Sequence, residues 1–273
     1  MWSLLRIYPA VALLLVSAGG AQALVLDWSS ATWTPGATSG GIEVDGARPG
    51  NDVMISLSGN LNKLRTDPGS GTATPAILNR FQGGLSSPDH SLHFFVNAGT
   101  QTEITVTITF SAAYVQGVEN VSFSLFDIDK TTDAEMFKNI YATDVNGNQI
   151  AANISNLGSG VSLSGTGLTQ LLTGNAAAND AGAGSGSGNA TIGFGANAIR
   201  SFTFTFDNSS GPPRVQEFGL YDISFTPVPE INPAWTAAFS CFAAVGLVFS
   251  HRRSVQRKVK DLNSHNLPHR LHR

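Results

Sequence analysis

The chain has 273 residues, 16 Lys and Arg against 19 Asp and Glu, and a single cysteine, Cys241. Its basic residues gather at the two ends, as Arg6 and then Arg252, Arg253, Arg257, Lys258, Lys260, Arg270 and Arg273. Between them stand 8 Lys and Arg and 18 Asp and Glu, a balance near −10; this excludes a nucleic-acid surface, which needs a basic stripe, and the lone cysteine excludes a disulfide scaffold, Cys-ligated zinc and thiol catalysis.

Residues 1–23 combine Arg6, the apolar run VALLLVSAGG and the small-residue site Ala21-Gln22-Ala23. A positive start, a short apolar core and an A-x-A site predict a secretory signal peptide cut after Ala23. The apolar run is shorter than the ~20 residues of a spanning helix.

Residues 24–226 are poor in charge and rich in Gly, Ser, Thr and Asn. EITVTITF (103–110) sets Ile104, Val106 and Ile108 between threonines. VSFSLFDID (121–129) puts Val121, Phe123 and Leu125 on one face. SFTFTFD (201–207) alternates Phe202, Phe204 and Phe206 with Ser201, Thr203 and Thr205, and FGLYDISFT (218–226) closes the region. Period-two alternation of β-branched and aromatic residues predicts half-buried strands. NDVMISLSG and SLHFFVN are further strand candidates. Asn146-Gly147 predicts a tight hairpin turn. TPAILNRF, with Pro75 in a first turn, predicts one short helix. GNAAANDAGAGSGSG (174–188) has no branched or aromatic residue and reads as a loop. Many short strands with Gly-rich turns predict an all-β domain, an antiparallel β-sandwich of jelly-roll-like topology.

The densest acidic stretch is Asp127, Asp129 and Asp133, followed by Glu135 and Asp144. On the strand expected at 121–129, Asp127 and Asp129 share a face. With Asp133 they would offer hard oxygen ligands for calcium, the one candidate cofactor. The alternative is that these acids cap turns and face water. The glycine of an EF-hand loop is absent. Glu43, Glu103, Glu119, Glu135, Glu217 and Glu230 stand in no recognisable frame for a glycosidase pair. His90 and His93 would point to opposite faces of a strand and share no metal. No G-x-S-x-G elbow occurs, and GAGSGSG does not satisfy G-x-G-x-x-G. Trp28, Trp33, Tyr114, Tyr141 and Tyr221 would either stack on sugar rings or pack the core. Asn120, Asn153, Asn189 and Asn208 each begin an N-x-S/T sequence, which suits a hydroxyl-rich exterior.

Residues 234–250 carry no charge and fit the ~17–25 residues of a transmembrane helix. The basic residues after them predict a cytoplasmic tail at 254–273, able to lie against anionic lipid. Just before the span stand Val228-Pro229-Glu230 and Pro233; just after it stand Arg252-Arg253. Pro227, Pro229 and Pro233 hold this stretch extended, and Glu230 fixes one negative charge beside the bilayer.

In that order, motif, span and arginines, residues 227–253 resemble the PEP-CTERM sorting signal of bacterial surface proteins. The resemblance covers about a tenth of the chain. It departs from the family at Ile231, where a second proline is usual, and in the longer tail after Arg253. It implies export, anchoring in the cell membrane and processing by an exosortase, a membrane-embedded peptidase. The expectation is a non-enzymatic protein of the cell envelope or extracellular matrix, with extracellular polysaccharide as a partner. The alternatives are a carbohydrate-binding or carbohydrate-active surface protein, and a single-span anchored protein that is never cut.

Overall fold

The structure, a computed structural model, describes residues 22–46, 50–81, 83–85, 89–98, 102–177, 186–208 and 214–229. Most of the expected signal peptide, the centre of the Gly-rich loop, Glu230, Pro233, Arg252, Arg253 and the span 234–250 lie outside these residues. No helix among the described residues is long and apolar enough to cross a membrane.

Eighteen strands occur in chain order: β1 (Leu24–Leu26), β2 (Ser39–Ile42), β3 (Val53–Gly59), β4 (Thr66–Asp67), β5 (Thr72–Ala73), β6 (Ala76–Leu78), β7 (Ser91–Ala98), β8 (Ile104–Phe110), β9 (Val118–Phe126), β10 (Glu135–Asp144), β11 (Gln149–Ala151), β12 (Asn153–Ser155), β13 (Val161–Ser164), β14 (Leu171–Gly174), β15 (Ala190–Gly193), β16 (Ile199–Asn208), β17 (Arg214–Leu220) and β18 (Ile223–Pro227). Two short 3-10 turns, Leu61–Lys63 and Gly167–Thr169, are the helical elements among the described residues. The fold is therefore all-β, and every ladder in it is antiparallel.

Sixteen strands share one curled hydrogen-bonded network; β4 and β5 form a separate ribbon. One run follows the order β2, β3, β8, β16, β10, β14, β13. A second is centred on β9, with β15 and β12 beyond one edge and β17 and β18 along the other. β7 and β6 continue from β17, and β1 continues from β18. The runs meet where Ile199 pairs with Val118.

Alternation explains the core. Ile104, Val106 and Ile108 are fully buried, while Thr105 and Thr107 on the opposite face are half-exposed. Phe202, Phe204 and Phe206 of β16 point inward and meet rings from the second run. Phe123 stacks on Phe202 at 4.5 Å, and Phe218 stacks on Phe206 at 4.8 Å. Each such ring removes ~150–250 Å² from water, so this aromatic seam is a large apolar contribution to the fold. Trp28, Trp33 and Tyr114 are buried with it, which assigns these three to packing.

Three local expectations are corrected. Residues 76–78 form strand β6 on β7 rather than a helix, following a cis Thr74–Pro75 peptide. Thr74 explains the extended path: its Oγ1 donates to Arg65 O at 2.8 Å and accepts from Phe95 N at 3.0 Å. The β10–β11 turn is not a two-residue turn with both central residues at positive φ. Gly147 alone takes positive φ (88°), its N–H donates to Asp144 O, and Asp144 N donates to Asn148 O, so the hairpin uses a longer loop around a glycine. Finally, β9 stops at Phe126. Asp127 has φ 64°, which breaks the extended path, so Asp127 and Asp129 do not alternate on a strand face.

Candidate functional site

Two places gather the polar side chains singled out by the sequence. The first is a pocket of about 220 Å³ lined by Arg80, Phe81, Asp127, Asp129, Glu135 and Glu217, among others. Glu135, at the start of β10, is 1% exposed. Its Oε2 accepts from Asp129 N at 3.1 Å and its Oε1 accepts from Glu217 N at 3.2 Å. One buried carboxyl thus ties the 127–134 loop to β17. Burial, and then the charges of Asp127 and Asp129, push its pKa well up. Burial also raises Glu217, against the pull of Arg80. Arg80 joins Glu217 and Asp67, at 2.9 and 2.8 Å. Behind this network His93 is fully buried against the Phe81 ring, with both ring nitrogens unbonded. Burial lowers its pKa to about 4, so the imidazole is neutral and its 3.5 Å approach to Glu217 is no ion pair at neutral pH.

The predicted calcium trio does not converge here. Asp133 turns to Arg214, at 3.3 Å, while Asp127 and Asp129 stand at the pocket. Among the described residues, the acidic group whose oxygens lie within 4.8 Å of one another is Glu43, Asp45 and Asp52, which the sequence did not single out. Asp52 is already engaged there: Tyr114 Oη donates to it at 2.5 Å, and Val44 N and Asp45 N at 2.8 and 2.9 Å. It fixes the loop after β2.

Ser29, His90 and Asp89 also meet, without forming a nucleophile. The Ser29 hydroxyl donates to Asp89 Oδ1 at 2.6 Å, and Tyr221 Oη donates to Asp89 Oδ2 at 2.5 Å. The serine proton is thus directed at the carboxylate, whereas a hydrolytic serine needs the imidazole between them.

The second place is the outer face of β3, β8, β16 and β10. Strand pairing sets hydroxyls in rows across it: Ser58, Thr105 and Thr205 in one row, Ser56, Thr107 and Thr203 in the next. Thr105 and Thr205 bond at 2.9 Å, and Thr107 and Thr203 at 3.0 Å. Thr203 also donates to Val106 O at 2.9 Å.

At one end of this face a groove of about 390 Å³ is lined by Thr105, Asn139, Tyr141, Gln149, Thr203 and Thr205, with Leu168 of the second 3-10 turn. A β-bulge makes it. On β10, Lys138 pairs with Thr205 and Tyr141 with Thr203, so β10 uses one residue more than β16. Strict alternation would send Tyr141 to the same buried face as Phe137. The extra residue instead turns Ile140 and Ala142 inward and Tyr141 outward. Asn139 occupies the bulge at φ 53°, a conformation that Asn tolerates better than most residues. Its Nδ2 reaches Thr205 Oγ1 at 3.4 Å.

Of the five aromatics that sequence offered for stacking on sugars, Tyr141 alone lines this groove; Tyr221 stacks on Phe126. Asn120 and Asn153 are exposed, but Asn208 is buried, which removes the last N-x-S/T site from the surface. Comparison with protein-family models, with curated proteins and with solved structures finds no match.

Proposed function

We propose that this is an exported, non-enzymatic protein of the cell envelope or extracellular matrix. Residues 1–23 direct export. Residues 24–226 form a jelly-roll-like antiparallel sandwich. Residues 227–253 are a PEP-CTERM-like sorting signal: the span 234–250 anchors the chain, and an exosortase-type membrane peptidase processes it. The tail 254–273 stays on the cytoplasmic side, against lipid.

The observation that carries the proposal is where the ladders begin and end. β1 starts at Leu24, one residue after the expected cleavage, and pairs with β18, whose register runs from Leu24↔Phe225 to Leu26↔Ile223. After β18, Val228 N donates to Gly117 O, and Pro229 is exposed. Among the described residues, the ladders therefore run from the first residue after the predicted cleavage to Pro227, and the last backbone bond of this edge is at Val228, the first residue of the V-P-E motif.

A non-enzymatic role is favoured because the buried acids are committed to structure. Both oxygens of Glu135 accept backbone N–H groups, and Glu217 is paired with Arg80. These contacts give both acids a role in holding the 127–134 loop and β17 together. To test the proposal, Val228, Pro229 and Glu230 are replaced together by alanine, and the protein is followed by cell fractionation in the native host. The expected result is accumulation of the longer chain in the membrane fraction. Unchanged release of the variant would count against sorting through this motif.

A further inference from the structure

We infer that the Tyr141 groove binds a neutral polysaccharide chain. This rests on the exported reading, because such a chain is met outside the cytoplasm, but its chemistry comes from the groove.

Among the described residues, no charged side chain lines the groove. The nearest cation on that face, Lys138, is held by Glu103 at 2.7 Å and Asp207 at 2.9 Å. An anionic ligand would therefore find no free counter-charge. What the groove offers is hydroxyl and amide. Thr203 and Thr205 are buried and bonded to their neighbours, so the half-exposed Thr105 hydroxyl and the exposed amides of Asn139 and Gln149 face a ligand; together they both donate and accept, which matches the mixed donor and acceptor character of sugar hydroxyls. Half-exposed Tyr141 adds an aromatic face at the edge of this polar lining, and an amphipathic ring presents it at little entropic cost.

The hydroxyls form a short chain: Thr205 Oγ1 accepts from Asn139 Nδ2 at 3.4 Å and shares a bond with Thr105 Oγ1 at 2.9 Å, in which either hydroxyl can donate. Such chains polarise one another. The volume of about 390 Å³ falls within the ~300–1,000 Å³ of small-molecule sites.

An extended glycan fits better than a free sugar. The hydroxyl rows continue out of the groove across β8 to Ser56 and Ser58 of β3, which are exposed. Their strands lie ~4.7–4.9 Å apart, so several successive sugar residues would find partners along the face. The bulge supports the same assignment, since bulges recur where a side chain has been re-aimed beside a site.

The test is native affinity electrophoresis of the full chain, purified in mild detergent. Dextran, hydroxyethylcellulose and galactomannan serve as neutral probes, and alginate as a charged one. The expected result is retardation by at least one neutral polymer. Tyr141→Ala and Gln149→Ala each weaken it roughly tenfold or more, and added salt leaves it unchanged. No retardation by any neutral polymer overturns the assignment, as does retardation by alginate alone or retardation that survives Tyr141→Ala. A circular-dichroism melt of each variant separates lost binding from lost folding. Failure here with a C terminus trimmed in cells sinks only the groove. An untrimmed C terminus with glycan retardation sinks only the sorting.

Discussion

Leu24 and Phe225 are partners in one antiparallel ladder, although 200 residues of chain separate them. The two ends of the folded region are thus stitched side by side, and Trp28 N reinforces the closure by donating to Asp222 Oδ1 at 3.0 Å. Phe225 also contacts the rings of Phe110 and Tyr114, at 5.0 and 5.9 Å. Phe225→Ala should lower stability by roughly 3–5 kcal/mol, the usual cost of emptying a buried aromatic site. Urea denaturation at pH 7 checks this. A loss below ~1 kcal/mol would mean that the closure is peripheral to the core.

Glu135→Ala removes the acceptor shared by Asp129 N and Glu217 N and leaves both donors buried. A loss of roughly 2–4 kcal/mol is expected. Glu135→Gln restores one acceptor only, because its amide nitrogen faces the second N–H, so it should fall between wild type and Glu135→Ala. The sign with pH is fixed by the raised pKa. The folded state holds this proton above the ordinary Glu value of 4.5, so the stabilisation is full below that value and is lost as pH climbs toward the raised folded pKa. The wild-type minus Glu135→Gln difference in stability should therefore shrink as pH rises.

His93 and Asp222 pull in opposite directions over acidic pH. His93 titrates near 4 in the fold against 6.5 when free. The unfolded chain binds the extra proton between those values, so this group makes stability rise with pH there. Asp222 is raised to about 6 from 3.8, first by burial and then by Asp27 and Asp89, and makes stability fall with pH over its own window. His93→Leu keeps the volume, removes two unbonded ring nitrogens and should stabilise by about 1–2 kcal/mol near pH 5, with the gain shrinking as pH rises to 6.5 and levelling off above it. Asp222→Asn should flatten the opposite slope. Thermal melts of both variants from pH 4 to 7 decide between these signs.

The bulge at Asn139 yields a sharper prediction. Asn139→Gly should be tolerated, whereas Asn139→Val should cost roughly 1–2 kcal/mol, because a β-branched residue resists positive φ. Deleting Asn139 removes the extra residue and leaves Phe137, Ile140 and Ala142 alternating with Lys138 and Tyr141, so Tyr141 stays outward. The deletion should therefore still fold, as read by a cooperative melting curve, and a deletion that fails to fold would show that the bulge itself is required.

Strands β8 and β16 were legible because EITVTITF and SFTFTFD keep a strict period of two; Phe202, Phe204 and Phe206 are buried as expected, but β16 is not half-buried, because Thr203 and Thr205 on its other face are covered by neighbouring side chains too. The outward turn of Tyr141 was not legible. Read by alternation, EMFKNIYATD puts Phe137, Asn139 and Tyr141 on one face, and only an Asn inside a strand hinted at a bulge. Pro75 misled in a similar way: a proline opening a helix and a proline opening a strand carry the same fixed φ, and the Thr74 bonds that choose between them come from Arg65 and Phe95, distant in sequence. The 127–129 run read as strand because the break lies in one backbone angle, at Asp127. The acid that anchors that loop, Glu135, has its second partner 82 residues away. Local pattern thus revealed the faces of the strands, while long-range bonds decided the loops and the pockets.

The central claim is that the chain is exported and then sorted through residues 227–253. The measurement that tests it most directly is the intact mass and C-terminal sequence of the protein recovered from its own cells. The prediction is a chain that starts at Leu24 and ends between Val228 and Asn232. A chain that still ends at Arg273 would contradict processing and leave a single-span anchored protein.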